Sequence, residues 1–316
     1  LKNNSTLVSI CIPAYNCEGF IPQALQCLLA QTYNNIELIV VNDGSTDGTL
    51  KLVESIKDSR LNVITNANRG ASAARNIAFQ RSKGQNIIFF DADDWVAPDF
   101  ITKQLLALNG ADNSVVLSAW GRFYNNDLNT FKAAEISSGQ ISFTEWINQY
   151  WYNANPMTNP GRALIPRKLI ETVSWNKDLT LNDDLEYFTR VFLNTEKIIL
   201  NSDAMLYYRS GVSGLSGTKN QQAYQSLFNS VKISTTLVLN HYPNNTLIKK
   251  SCANMWQSIV YELYPRQGHL VKLAEQNIEK LGGSDLTFPA GGYSRLLSYF
   301  IGWRAAKKIK TLLLAW

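Results

Sequence analysis

The chain has 316 residues, 45% hydrophobic and 17% charged, which excludes a disordered polymer and suffices for a large α/β body with additions. Its net charge of +5 is too mild to indicate a nucleic-acid binder, and no nucleic-acid partner is expected. The four cysteines, Cys11, Cys17, Cys27 and Cys252, form no C-x-x-C pair, and only two histidines are present. Neither a disulfide framework nor a zinc or His-based metal site is therefore expected, and any metal would be held by oxygen ligands.

In chain order, residues 7–12 (LVSICI) read as a buried strand stopped by Pro13. A helix follows over 18–31, with Phe20, Ile21, Ala24, Leu25, Leu28 and Leu29 on one face. Residues 36–41 (IELIVV) are a second strand, and NDGSTDGT is a turn in which Ser45 or Thr46 caps the next helix. Residues 62–65 make a third strand, GASAARNIAFQRSK a helix ended by Gly84, and residues 86–90 (NIIFF) a fourth strand. Continuously apolar strands alternating with helices predict a mostly parallel central sheet flanked by helices. The loops PAYN, NDGSTD and DADD follow strand ends and so share one sheet edge, the edge at which such sheets bind ligands. Further on, a strand is expected at 115–124, helices at 143–152 and 183–194, a strand in KIILNSDAMLYYR, and mostly helix over 220–282. No signal peptide and no bilayer-spanning run is expected.

Two readings stand for IIFFDADDW. Its acids form either a solvated turn with a helix cap at Asp94, or a D-x-D pair aimed at one divalent cation, which prefers carboxylate oxygen. Asp43 and Asp47 are likewise either turn formers or acceptors for a nucleobase and ribose. Trp120, Trp146, Trp151 and Tyr152 are either core residues or platforms for sugar rings.

Taken together, PAYNCEGFIPQALQCLLAQTY, IELIVVNDGSTDGT, NRGASAARNIA and IIFFDADDW resemble, in order and spacing, the nucleotide-sugar-binding half of family 2 inverting glycosyltransferases with the GT-A fold, of the kind that builds bacterial polysaccharides and glycans. The resemblance is close over 7–100 and patchy to about 215. It implies a Rossmann-like GT-A domain over 1–217, with 1–100 for the donor and 101–217 for the acceptor and base, and a mainly helical extension over 218–316. It implies that Pro13, Tyr15 and Asn16 line a base pocket and that Asp43 hydrogen-bonds the base, usually uracil. Arg75 and Asn76 would lie near the donor, and Asp91 would hold ribose or sugar hydroxyls. Asp93 would bind the Mn²⁺ or Mg²⁺ that bridges the diphosphate. Asp184 would be the general base of an acidic pair in which Asp183 replaces the usual Glu. Arg209, with Ser213 or Ser216, would contact phosphate. A histidine metal ligand carried by some relatives in this region is missing.

The implied activity is transfer of a sugar from a UDP-sugar donor to a hydroxyl of a cell-surface polysaccharide, glycolipid or glycoprotein glycan. The implied place is the cytoplasm, free or peripheral on the inner face of the cell membrane. A nucleotidyltransferase making the sugar nucleotide would need a Gly-rich loop bearing Arg and Lys after the first strand, which PAYNCEGF lacks. A non-catalytic nucleotide- or sugar-binding module would have little need of the acids Asp93 and Asp184.

The C-terminal run YSRLLSYFIGWRAAKKIKTLLLAW places Leu296, Leu297, Phe300, Ile301 and Trp303 on one face. Ile309, Leu312, Leu313 and Trp316 lie nearly opposite, with Arg304, Lys307, Lys308 and Lys310 across from them. A kink at Gly302, or burial of one half, would reconcile the two faces. Membrane attachment and packing on the protein or on a second subunit both remain open here.

Overall fold

The structure is a computed structural model that describes residues 6–212 and 219–313. Strand β1 (Val8–Ala14) lies between β2 (Ile36–Asn42) and β4 (Asn86–Phe89), parallel to both, and β2 pairs in parallel with β3 (Leu61–Thr65). This half is the expected one: every residue of β4 and all but one of β2 are buried, as strands covered on both faces must be.

Beyond β4 the sheet becomes mixed. Strand β9 (Ala163–Pro166) is antiparallel to β4 and to β6 (Ser114–Tyr124). Strand β10 (Lys197–Ser210) is parallel to β6 but antiparallel to β5 (Trp95–Val96) and β8 (Gly139–Ile141). Strand β7 (Asp127–Glu135) pairs back on β6 through Asn125 and Asn126, both at positive φ, the backbone that a tight hairpin turn demands and that Asn tolerates. The path runs β3-β2-β1-β4-β9-β6-β10-β5, so the parallel arrangement is confined to the first four strands and the β6–β10 pair.

Helices α1 (Ile21–Leu29), α2 (Thr49–Ser55), α3 (Ala71–Arg81) and α4 (Phe100–Leu108) alternate with these strands. Neither Ser45 nor Thr46 caps α2. Asn16 engages both, and Asp47 Oδ1 instead accepts the Thr49 N–H at 3.0 Å. Gly84 does not end α3, which stops at Arg81. It is needed for close approach to β1: a Cβ there would sit 2.6 Å from the Ser9 nitrogen and 2.7 Å from the Leu7 oxygen. Small residues Ala73, Ala74 and Ala78 let α3 pack on the sheet.

The described residues form two compact units, one from 6–143 and 158–212, the other from 144–157 and 219–313. The second contains α5 (Phe143–Trp146) from Thr144 on, which runs into a π-helical turn over Ile147–Trp151. It also contains, after α6 (Asp183–Leu193) of the first unit, the helices α7 (Gln221–His241), α8 (Thr246–Leu263), α9 (Gly268–Lys280) and α10 (Tyr293–Leu313). Asn220 and Asn245 cap α7 and α8 by accepting the N–H of Ala223 and Ile248, each such cap being worth about 1 kcal/mol. Trp120, Trp146 and Trp151 are buried, which settles them as core residues, and Tyr152 is bound to Asp285 through its hydroxyl and to Asn254 through its carbonyl. All four cysteines are free and buried. Among the described residues no helix is long and apolar enough to cross a membrane.

Candidate active site

Parallel topology brings the turns after β1, β2 and β4 to one edge, and side chains knit the first two turns together. The Asn16 backbone, at φ +45°, donates to Ser45 Oγ at 3.1 Å, and Asn16 Oδ1 accepts the Thr46 N–H at 2.8 Å. Glu18 N–H donates to Asp47 Oδ2, while Glu18 Oε2 accepts the Gly48 N–H. Asn16 thus orders the loops, with Pro13 at the end of β1 and Tyr15 half-exposed beside it.

Asp43, at the end of β2, is buried and already bonded. Its carboxylate accepts the N–H groups of Arg69 at 3.0 Å and Gly70 at 2.7 Å, fastening the loop that starts α3. Asn76, expected near the donor, has both amide ends on the Trp175 backbone: Nδ2 donates to its carbonyl at 2.8 Å and Oδ1 accepts its N–H at 2.7 Å. Its place is structural, anchoring the 171–176 loop to α3.

The turn after β4 carries three acids of unlike surroundings. Asp91 Oδ1 pairs with Arg75 Nη2 at 2.9 Å. Asp93 is partly buried, and burial together with the Asp91 charge pushes its pKa up to about 6. Asp94 is fully buried, which excludes the solvated-turn reading, and it does not cap a helix, since α4 begins only at Phe100 with Asp99 at its N-cap. It accepts the Arg209 backbone N–H at 3.1 Å and Asn159 Nδ2 at 3.2 Å. Burial, then Asp93 and Asp91, raises its pKa well above the carboxylate range.

Arg209 is not presented to a phosphate. Its guanidinium is buried between the rings of Phe20 and Phe123 and donates to the Asp93 carbonyl at 2.6 Å, to Asn126 and to Gln23. It therefore braces the acidic turn from behind. Burial lowers its pKa, against the pull of Asp93 and Asp94. Ser213 and Ser216 lie outside the described residues.

The second acidic pair opens α6 (Asp183–Leu193). Asn182, at φ +60°, turns the chain in without a side-chain cap. Carboxylates are favoured by the helix dipole in this first turn. Asp183 Oδ2 receives Arg75 Nη1 at 2.9 Å and Ser72 Oγ at 2.7 Å. Asp184 Oδ1 accepts the Leu185 N–H at 2.9 Å and Oδ2 the Thr158 hydroxyl at 3.2 Å. Burial, then the neighbouring Asp183 charge, raises the Asp184 pKa to about 7.

Arg75 is the link between the two acidic pairs, bridging Asp91 and Asp183 with its plane 4.4 Å over the Trp175 ring. Trp175 in turn stacks on Tyr187 at 3.9 Å, and both meet Phe89 edge-on. Burial disfavours the Arg75 charge, but Asp91 and Asp183 outweigh it and raise its pKa.

The donor set suits a hard divalent cation shared with a substrate. Asp91 and Asp93 supply only oxygen, and Asp93, whose pKa is raised first by burial and then by the Asp91 charge, has a like-charged neighbour that a bound cation would offset. Mg²⁺ commonly takes one or two carboxylates and completes its shell with phosphate and water. Among the described residues no group of three His, Cys, Asp or Glu side chains could hold a metal by itself.

The sequence reading missed Ser72, Asn159, Thr158 and Trp175, which set the acids' orientation. None stands in a recognisable spacing, because each meets its partner only through tertiary contact.

A doubly wound sheet whose first half ends in an acid-lined edge, continued by a mixed half that carries a buried base candidate, defines the GT-A type of α/β fold. The pattern of glycosyl transferase family 2 matches residues 9–174, just over half of the chain, and the protein belongs to that family. It is similar to a glycosyltransferase of Haemophilus influenzae, 43% identical over 105 residues that cover 32% of this chain and 42% of that one. It is also similar to the Escherichia coli UDP-Glc:alpha-D-GlcNAc-diphosphoundecaprenol beta-1,3-glucosyltransferase WfaP, 45% identical over 100 residues that cover 31% of this chain and 40% of WfaP. The matched segment thus spans about two fifths of each relative. Among solved structures, residues 1–349 of S. aureus TarS superpose with a TM-score of 0.63 at 20% identity, covering 86% of this chain and 77% of that one. TarS has also been solved with UDP-GlcNAc.

Proposed function

We propose that this protein is an inverting glycosyltransferase that moves a sugar from a UDP-sugar to an acceptor hydroxyl of a glycan or glycolipid. The observation that carries this reading is Asp184. It is a shielded carboxyl with a pKa of about 7, tied through Asp183 and Arg75 to Asp91 of the D-x-D turn. A general base works best when its pKa lies near the working pH. A module that only binds sugar has no use for one. The UDP-sugar donor and a lipid-linked acceptor are supported by the substrates in the WfaP name, and the donor also by the UDP-GlcNAc complex of TarS.

In the proposed step Asp184 takes the proton of the acceptor hydroxyl. The oxygen then attacks the anomeric carbon from the face opposite the diphosphate. The new C–O bond forms as the bond to phosphate oxygen breaks, UDP departs with the electron pair, and the anomeric configuration inverts. Asp93, with Asp91 beside it, would hold a divalent cation, which when bound supplies electrostatic stabilisation to the leaving diphosphate. Asp43 and the Arg69–Gly70 backbone it fastens would shape the base site together with Pro13, Tyr15 and Asn16. Asp91 would orient ribose or sugar hydroxyls.

Calorimetric titration tests the donor half of this reading. UDP should bind in Mn²⁺, bind far more weakly in EDTA, and be lost in Asp93→Ala, while GDP binds poorly throughout. Absence of UDP binding by the folded protein would sink the proposal. Product configuration, read by NMR once a donor sugar is found, tests inversion.

A further inference from the structure

Helix α10 is set apart by its charge and by what it leaves uncovered. Between Tyr293 and Leu313 it carries Arg295, Arg304, Lys307, Lys308 and Lys310 and no acid, a surplus equal to the net +5 of the whole chain. Gly302, at φ +77° and ψ 153°, breaks the helix into two arms, a backbone that glycine adopts without strain. This kink is one of the two arrangements, with burial of one half, that the sequence pattern left open.

The second arm is held down. Trp303 packs on Tyr261, Tyr264 and Phe288 at 4.9–5.5 Å between ring centres, and Ala306 is buried. Arg304 pairs with Glu275, and Lys307 Nζ donates to the Glu262 carbonyl. The first arm is presented. Leu296 is 60% exposed, Tyr299 85%, Phe300 74% and Ile301 47%. Leu296 with Phe300, and Leu297 with Ile301, are i,i+4 neighbours on one face. From Arg295 to Ile301 only Arg295 and Ser298 are polar by sequence besides the Tyr299 hydroxyl. Leaving four large, mostly apolar side chains in water this way forgoes their hydrophobic burial, and covering the face would recover it.

We infer that α10 docks on an anionic phospholipid surface. Leu296, Phe300, Ile301 and Tyr299 would enter the interfacial layer while Arg295, Lys308 and Lys310 meet the headgroup charge. Charge complementarity selects this occupant. A second copy meeting the same face across a two-fold axis would bring like-charged rims together, whereas an anionic bilayer attracts each cation. Apolar and aromatic residues beside cations are the composition of an interfacial helix. No described helix is long and apolar enough to span the bilayer, so the contact is peripheral. This inference stands independently of the proposed transferase chemistry.

Vesicle flotation of the full chain tests it. Binding is expected to phosphatidylglycerol vesicles, at least tenfold stronger than to phosphatidylcholine vesicles and weakened by salt. The double variant Leu296→Ser/Phe300→Ser and the charge variant Arg295→Glu/Lys310→Glu should each lower the partition constant at least tenfold. Their exposed positions should leave the melting temperature and circular dichroism unchanged. Equal partitioning of wild type and both variants, or no binding to phosphatidylglycerol at low salt, would overturn the proposal. So would a concentration-dependent dimer in analytical ultracentrifugation that Leu296→Ser/Phe300→Ser abolishes, since that assigns the face to a second copy.

Discussion

The turn after β4 and the start of α6 each present two adjacent aspartates to the same sheet edge, yet their surroundings separate them. In the turn, Asp94 is buried against Asn159 and a backbone N–H, and among the described residues Arg209 reaches Asp93 only at its backbone carbonyl, with no guanidinium bonded to either carboxylate. Burial therefore raises both pKa values. At α6 the Arg75 guanidinium and the Ser72 hydroxyl go to Asp183. Asp184 is left with a hydroxyl, a backbone N–H and a raised pKa. Adjacent acids in sequence are thus not equivalent. The reach of one cation decides which member holds the ion pair, and burial leaves the other with a raised pKa.

The largest effect should come from exchanging the two members of the α6 pair. Asp184→Asn is expected to lower sugar transfer about 10²–10⁴-fold, with no loss of stability at pH 7, because a buried carboxyl that resists ionisation is replaced by a neutral group. Asp183→Asn should lose less activity, since Thr158 and Leu185 still orient Asp184. Equal kinetic losses in the two variants would erase the distinction between them.

Removing the shared cation should cost nearly as much in stability. Arg75→Met leaves Asp91 and Asp183 facing each other without a counter-charge. Breaking such a buried arrangement typically costs about 3–5 kcal/mol, readable by urea denaturation. Arg75→Lys should not restore it, because a single ammonium lacks the two-sided fork that spans both carboxylates.

The pH dependence sharpens the same contrast. Asp184 holds its proton up to about pH 7 in the folded chain, against an ordinary value of 3.8. The folded state therefore binds more protons than the unfolded one between roughly pH 4 and 7, and stability falls as pH rises through that window, by a few kcal/mol in order of magnitude. Asp184→Asn should flatten this part of the stability–pH curve. kcat/KM should rise through about pH 7 as the base ionises.

A smaller effect separates scaffold from site. Asn76→Ala strands the Trp175 N–H and carbonyl and should cost about 1–3 kcal/mol while leaving UDP affinity unchanged. A large fall in UDP affinity at unchanged stability would return Asn76 to the donor site.

The parallel half of the sheet was legible because β1, β2 and β4 are short apolar runs separated by helical segments, and the loops at their ends follow from topology. The mixed half was legible only in its long strands: β6 and β10 stand where strands were expected, at 115–124 and in KIILNSDAMLYYR, whereas its short or polar strands were not. Strand β7 is polar and mostly exposed or half-exposed, β5 and β9 are two and four residues long, and such segments carry no periodicity to read. The acids Asp91, Asp93, Asp183 and Asp184 could be picked out by spacing and resemblance, but their partners could not.

By itself, then, the sequence determined the alternation of strand and helix and the shared edge of three loops, and it marked a break at Gly302 as one of two ways to reconcile the faces of the last helix. These depend on local hydrophobic period, turn chemistry and the φ that glycine permits. Only the tertiary structure decided that Arg209 braces the acidic turn, that Asn76 anchors Trp175, and that Arg75 joins acids 92 residues apart in the chain, Asp91 and Asp183. Hydrogen bonds and charge pairs between distant segments exist only once packing has brought their atoms within about 3 Å, and no local pattern encodes that distance.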